Sequence, residues 1–273
     1  MYVDVHSHLT HKDFASDLDQ VVKRASEAGL SAIIVNGLEP ESNRRILQLA
    51  EQYPIIKPAL GIYPIDAINH LADQIPFPVK AFDVDQEIAF IETQARAGKI
   101  IAIGECGLDG HWVGPETFAA QERVFEALID IAVQCDLPLI IHTRKLEERS
   151  MEILAAHKVT RVDFHCYGGK TKLAVDAAEK YGWSFSIPAN SNRDGAFQKL
   201  LRNLPPDMIL TETDCPYLSP EKGTRNEPRN VVGTIGLLAE YRGWSVEEAT
   251  LRVWNNYQRL FKVTKPGFLF SSN

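Results

Sequence analysis

Ile100-Ile101-Ala102-Ile103-Gly104-Glu105, the amphipathic stretch Gln121–Cys135, and Pro138-Leu139-Ile140-Ile141-His142 together decide how the chain is read. A β-branched run, a helical stretch and a second β-branched run make one strand–helix–strand unit of a parallel sheet. Each run ends at a ligand-type side chain, Glu105 after the first and His142 after the second. The unit recurs in both directions. Eight runs are expected as strands: Tyr2–Val5, Ala32–Val35, Ile55–Leu60, Ile100–Ile103, Leu139–Ile141, Arg161–Phe164, Ser184–Ile187 and Met208–Leu210. Leu18–Ala28, Asn43–Gln52, Ile88–Ala97 and Lys172–Tyr181 supply further helical spacing, and Gly29, Gly98 and Gly182 stand where helices commonly end. Eight strands with helical crossovers predict an α/β chain folded as a (β/α)8 TIM barrel. The competing doubly wound open sheet lacks support, because no GxGxxG follows the first strand. Asn230–Tyr241 and Val246–Phe261 are expected as extra C-terminal helices. With no linker, repeat or low-complexity segment, and with Ile75–Pro78 read as a loop, a single domain over residues 1–273 is expected.

Composition narrows the function classes. The 273 residues are 45% hydrophobic and 24% charged, which excludes a disordered, collagen-like or coiled-coil chain. Against 36 Asp+Glu stand 29 Lys+Arg, a net charge of −7, so a polyanionic substrate must be met by a local basic rim or by bound cations. No apolar run approaches the roughly 20 residues of a membrane span. The opening Met1-Tyr2-Val3-Asp4 has no basic segment ahead of an apolar one, so a cytoplasmic chain with no membrane association and no obligate protein partner is expected. Cys106, Cys135, Cys166 and Cys215 are widely spaced and read as reduced thiols.

Six ligand-type residues fall at or just after proposed strand ends: His6 and His8, Glu105, His142, His165 and Asp214. In a barrel those ends converge on one face. His6 and His8 are two apart, so on a strand both imidazoles point to the same side. Six nitrogen and oxygen donors exceed what one open catalytic ion takes, which implies two divalent ions sharing one carboxylate. A lone histidine at a strand end is more often an ordinary satisfied polar residue; the weight lies in six at equivalent positions. His70 and His157 read as surface residues, His11 lies outside the proposed strands, and His111 follows the Glu105 loop closely enough to reach the site.

Several motifs carry a resemblance. Asp4-Val5-His6-Ser7-His8-Leu9 resembles the opening motif of the TatD family of metal-dependent deoxyribonucleases in the amidohydrolase superfamily. Gly104-Glu105-Cys106-Gly107-Leu108-Asp109, Pro138 through Arg144, His165-Cys166-Tyr167-Gly168-Gly169 and Glu212 through Leu218 follow in the family's order, as do Arg225-Asn226-Glu227-Pro228 and Asn255 through Phe261. The resemblance implies a barrel with His6, His8, Glu105, His142, His165 and Asp214 as ligands and Glu105 as the bridge. Departures fall on the substrate loops: Tyr63-Pro64 where the family often has His-Pro, Gly110-His111-Trp112 where it often has an aromatic pair, and the segment Ile187–Asp194.

Two divalent cations, whether zinc, magnesium or manganese, suit phosphodiester hydrolysis and supply the positive charge the chain lacks. Asp214 is the candidate general base, and Asp214 and Glu105 are the catalytic pair. Arg144, Arg225 and Arg229, with Lys222, are candidates for holding a DNA backbone; their plain alternative is ordinary surface charge. The expected substrate is single-stranded DNA or frayed ends, cleaved exonucleolytically. The enzymatic rival is an amidohydrolase-type deacylase or esterase acting on a small or nucleotide-linked substrate. A non-catalytic barrel with a structural metal is the other, and the intact set of six ligands argues against it, because structural zinc sites are closed and usually rich in thiolate. Cys106, Cys166 and Cys215 each follow a ligand and read as small buried thiols, because successive strand residues face opposite ways. Trp112, Tyr167 and Tyr217 can either stack on bases or pack beneath the loops.

Overall fold

The computed structural model describes residues 1–263; the expected span of 1–273 runs past them, and 264–273 lie outside this description. Strands β1 (Tyr2–Ser7), β2 (Leu30–Asn36), β3 (Ile56–Leu60), β4 (Ala102–Asp109), β5 (Leu139–Arg144), β6 (Val162–Phe164), β7 (Ser184–Ile187) and β8 (Ile209–Thr211) pair in parallel and in sequence order. The helices are α1 (Leu18–Glu27), α2 (Pro40–Gln52), α3 (Val84–Arg96), α4 (Phe118–Gln134), α5 (Glu147–Ala156), α6 (Thr171–Tyr181), α7 (Gly195–Asn203), α8 (Val231–Arg242) and α9 (Val246–Phe261). This is a (β/α)8 TIM barrel with C-terminal helices added. Ala32, Ile33, Ile34 and Val35 on β2 are all buried, as expected for a parallel strand covered on both faces. Local signals set the helix ends. Asp83 accepts the Gln86 amide at the start of α3 and Ser245 the Glu248 amide at the start of α9, while α6 and α8 stop at left-handed Gly182 and Gly243. No helix among the described residues is long and apolar enough to cross a membrane.

The β8–β1 seam closes by a different route from the other strand pairs. Thr211 Oγ1 donates to the Val3 carbonyl (3.0 Å), and Asp4 on β1 accepts both the amide (2.9 Å) and the hydroxyl (2.6 Å) of Thr213. Above that level the Asp214 amide donates to the His6 carbonyl (2.9 Å) and the His8 amide to the Cys215 carbonyl (2.9 Å). Closure of the barrel therefore brings the chain segments carrying His6, His8 and Asp214 side by side. Helix α9 packs against both β1 and β8 and covers this seam.

Strand β4 is longer than its sequence suggests. The β-branched run stops at Ile103, but the ladder with β5 continues through Cys106–Ile141, Gly107–His142 and Asp109–Arg144. Within this extension Gly107 serves close packing. It has φ of +140°, and a Cβ there would overlap the His142 carbonyl. At Gly61, just past β3, a Cβ would overlap the carbonyl of Glu105. These contacts hold the Glu105 backbone against both neighbouring strands.

Candidate metal centre

The six predicted ligand residues converge at the C-terminal mouth of the barrel, in two groups that meet at one carboxylate. Oε2 of Glu105 lies 3.3 Å from His6 Nε2 and 3.5 Å from His8 Nε2, and those two nitrogens are 3.2 Å apart. Asp214 Oδ1 joins them, 3.3 Å from His8 Nε2 and 3.8 Å from His6 Nε2. The other oxygen of Glu105, Oε1, lies 3.0 Å from His142 Nδ1 and 3.1 Å from His165 Nε2. His6, His8, Glu105 and His165 are buried, while Asp214 keeps a small opening to solvent. Two imidazole nitrogens 3.2 Å apart, both directed at carboxylate oxygens, form a donor set suited to a cation, and so does the second group on Oε1.

Electrostatics follow from that crowding. Burial alone would push Glu105 up, but His165, His142 and His6 around it hold its carboxyl well below the ordinary carboxylate range. Burial likewise opposes the charge on Asp214, and His8, His165 and His6 outweigh it and keep the group ionised. His6 is driven down to about 3 by burial and by the adjacent His165, whose ring stacks on it at 3.7 Å. His8, His142 and His165 go the other way: against the pull of burial, Asp214 and Glu105 hold up His8, Asp109 and Glu105 hold up His142, and Glu105 and Glu212 hold up His165. Divalent cations bound here would displace protons from those rings.

Three residues outside the predicted set position it. Asp109 Oδ2 faces His142 Nε2 at 2.9 Å, which turns Nδ1 toward Glu105. Glu212 accepts the Cys166 amide (2.8 Å) and the Ser186 hydroxyl (2.5 Å), with His165 Nδ1 3.8 Å away. Asp4 fixes the Thr213 segment beside Asp214. The signal for Asp4 was present in the sequence: positions 4, 6 and 8 share the parity that puts side chains on one side of a strand. Asp109 and Glu212 share the parity of Glu105 and Asp214 in the same way, but the rings they face, His142 and His165, lie far off in the sequence.

The predicted substrate residues are spread further apart. Arg144 lies beside the site, its guanidinium 5.6 Å from the Trp112 ring centroid. Arg225 is forked onto Asp17 (2.8 and 2.7 Å) and lies over Phe14, and Arg229 pairs with Glu227 (3.2 Å). Lys222 is exposed. A cleft of about 440 Å³ beside the first loop is lined in part by Leu9, His11, Phe14, Asp17, Asp19 and Arg45. Tyr167 is buried and packs on Phe185 (5.2 Å), so of its two readings packing holds. Tyr217 is 53% exposed, edge-on to His8 at 6.5 Å. The His111 ring meets Trp112 rather than the ligand cluster. Cys106 and Cys215 are fully buried and Cys166 partly so, and burial pushes all three thiols up, which keeps them neutral.

Comparison with known proteins agrees with this geometry. The family model described as TatD related DNase matches residues 3–262. The chain belongs to this family. It is 33% identical to "Deoxyribonuclease TATDN3" of Homo sapiens, covering 95% of this chain and 94% of that protein. It is 30% identical to "3'-5' ssDNA/RNA exonuclease TatD" of Enterobacter lignolyticus, covering 95% and 98%. The crystal structure of YJJV, a TatD homologue from Escherichia coli K12, superposes with a TM-score of 0.83 at 26% identity, covering 96% of this chain and 98% of that one. Its relatives make this chain a metal-dependent hydrolase of the TatD type.

Proposed function

We propose that this chain is a nuclease that removes nucleotides from the ends of single-stranded DNA, using two divalent cations held in one hydrolase domain. The observation that carries the reading is the division of the Glu105 carboxylate, with Oε2 turned to His6 and His8 and Oε1 to His142 and His165. In this reading His6, His8, Glu105 and Asp214 hold one cation, and Glu105, His142 and His165 hold the other. When bound, such a pair acidifies a water nucleophile, withdraws charge from a phosphoryl oxygen and steadies the leaving alkoxide.

The remaining roles belong to the chain. Asp214, ionised and partly open to solvent, accepts the proton of the attacking water and returns it to the leaving oxygen. Asp109 holds the His142 ring by its Nε2. Arg144 offers forked donors to a phosphate at the mouth of the site. The names of the relatives, an exonuclease on ssDNA/RNA and a deoxyribonuclease, favour nucleic acid over the deacylase or esterase alternative. A screen of metal-reconstituted protein against single-stranded DNA, duplex DNA, RNA and small amides and esters tests this: end-labelled single strands should shorten fastest, and turnover of only the amides or esters would overturn it.

A further inference from the structure

Trp112 stands partly exposed in the loop after β4. Its neighbour Val113 is buried with Ile65, Ile68 and Ile75 in a small apolar cluster, so apolar cover lies within reach of this loop. The indole nevertheless remains 42% exposed. Phe77 meets it edge-on at 5.5 Å, the His111 ring packs on it at 4.6 Å, and the Arg144 guanidinium stands 5.6 Å from its centroid. Unlike Arg225 and Arg229, Arg144 forms no ion pair among the described residues.

The loop is also fastened to the ligand cluster. Oδ1 of Asp109 accepts the backbone amides of His111 (2.7 Å) and Trp112 (3.2 Å), while Oδ2 faces His142 Nε2 (2.9 Å). One buried carboxylate thus holds both a candidate cation ligand and the backbone that presents the indole. A stacking surface fixed in this way keeps a set distance from the reacting phosphate.

We infer that Trp112 and Arg144 form a nucleobase subsite, the indole stacking on one base of a single strand and the guanidinium taking an adjacent phosphate. The inference rests on the phosphodiester reading above and deepens it by naming a contact that a base enclosed within a duplex cannot make. Stacking on an aromatic side chain is indifferent to base identity because every base has a π-face, and its loss typically costs about ten- to a hundredfold per base.

The test pairs a side-chain change with a base deletion. Wild type, Trp112→Ala and Trp112→Phe are loaded with Mn²⁺ and given a short single strand of DNA, or the same strand with one abasic residue walked along it. First-bond cleavage is read under single-turnover conditions over a range of enzyme concentrations. The subsite predicts one position where the abasic residue lowers wild-type efficiency about ten- to a hundredfold, mostly as weaker half-saturation. Trp112→Ala should lose the same factor on the intact strand and little more on that abasic strand, while Trp112→Phe should retain most of the efficiency. Equal losses for Trp112→Ala on intact and abasic strands would mean that the indole only supports its loop, and would overturn the subsite while leaving the nuclease reading in place. A wild-type protein that cleaves no strand overturns both.

Discussion

Asp109→Asn keeps the size of the side chain and removes its charge beside His142. Its remaining oxygen can still accept the amides of His111 and Trp112, so the loop keeps its anchor. What is lost is the acceptor 2.9 Å from His142 Nε2, an oxygen that also accepts the Tyr63 hydroxyl at 3.3 Å. With an amide NH₂ in that place the ring favours the opposite tautomer, which puts a proton on Nδ1, the atom 3.0 Å from Glu105 Oε1 that would face a cation. Loss of an outer acceptor of this kind costs roughly 10- to 100-fold in metal affinity or activity, about 1.4–2.7 kcal/mol. His6 and His8 make no contact with Asp109, so the loss should fall on one cation alone. Calorimetric titration of the metal-stripped variant with Mn²⁺ should show one class of site weakened by that factor and the other within about twofold of wild type. Equal weakening of both classes, or of neither, would refute the assignment of Asp109 to His142.

Glu105→Ala should lose at least one ion and most activity while circular dichroism shows an intact barrel, because the core lies elsewhere; a metal-replete, active variant contradicts the bridge. In Asp214→Asn the rate should fall roughly 10²–10⁴-fold and stay down at saturating metal with both ions bound, as for a lost general base; full recovery would leave Asp214 a ligand only. Because His8, His142 and His165 hold protons more tightly than ordinary imidazoles, cation affinity should fall as pH drops through their raised values and rise with pH above about 6.5. Titrations in buffers of different ionisation enthalpy should register protons released on binding, and an affinity flat from pH 5 to pH 8 would contradict this.

Much of the barrel was legible because parallel strands buried on both faces write themselves as β-branched runs, and the predicted and observed bounds of α9 coincide at Val246–Phe261. Strand ends were less legible. His6 and His142 lie inside β1 and β5, and Glu105 inside β4, because ladder pairing to a neighbouring strand carries these segments past the point where apolar residues stop. The convergence of His6, His8, Glu105, His142, His165 and Asp214 could be read from their place in each unit. Arg225 could not be assigned in the same way: its commitment to Asp17 depends on how the loop after β8 folds back on α1, which no local pattern encodes. The partners of Asp109 and Glu212, His142 and His165, are likewise set by how distant strands come together.

In the two-cation reading, strand cleavage needs cations on both sides of Glu105. Titrating metal-stripped protein with Mn²⁺ while following occupancy per chain and single-turnover cleavage of an end-labelled single strand in the same samples tests it directly. Without metal no cleavage is expected, and the rate should climb as occupancy approaches two ions per chain. Full cleavage by protein verified to be free of metal, or a rate complete at one ion, would contradict it.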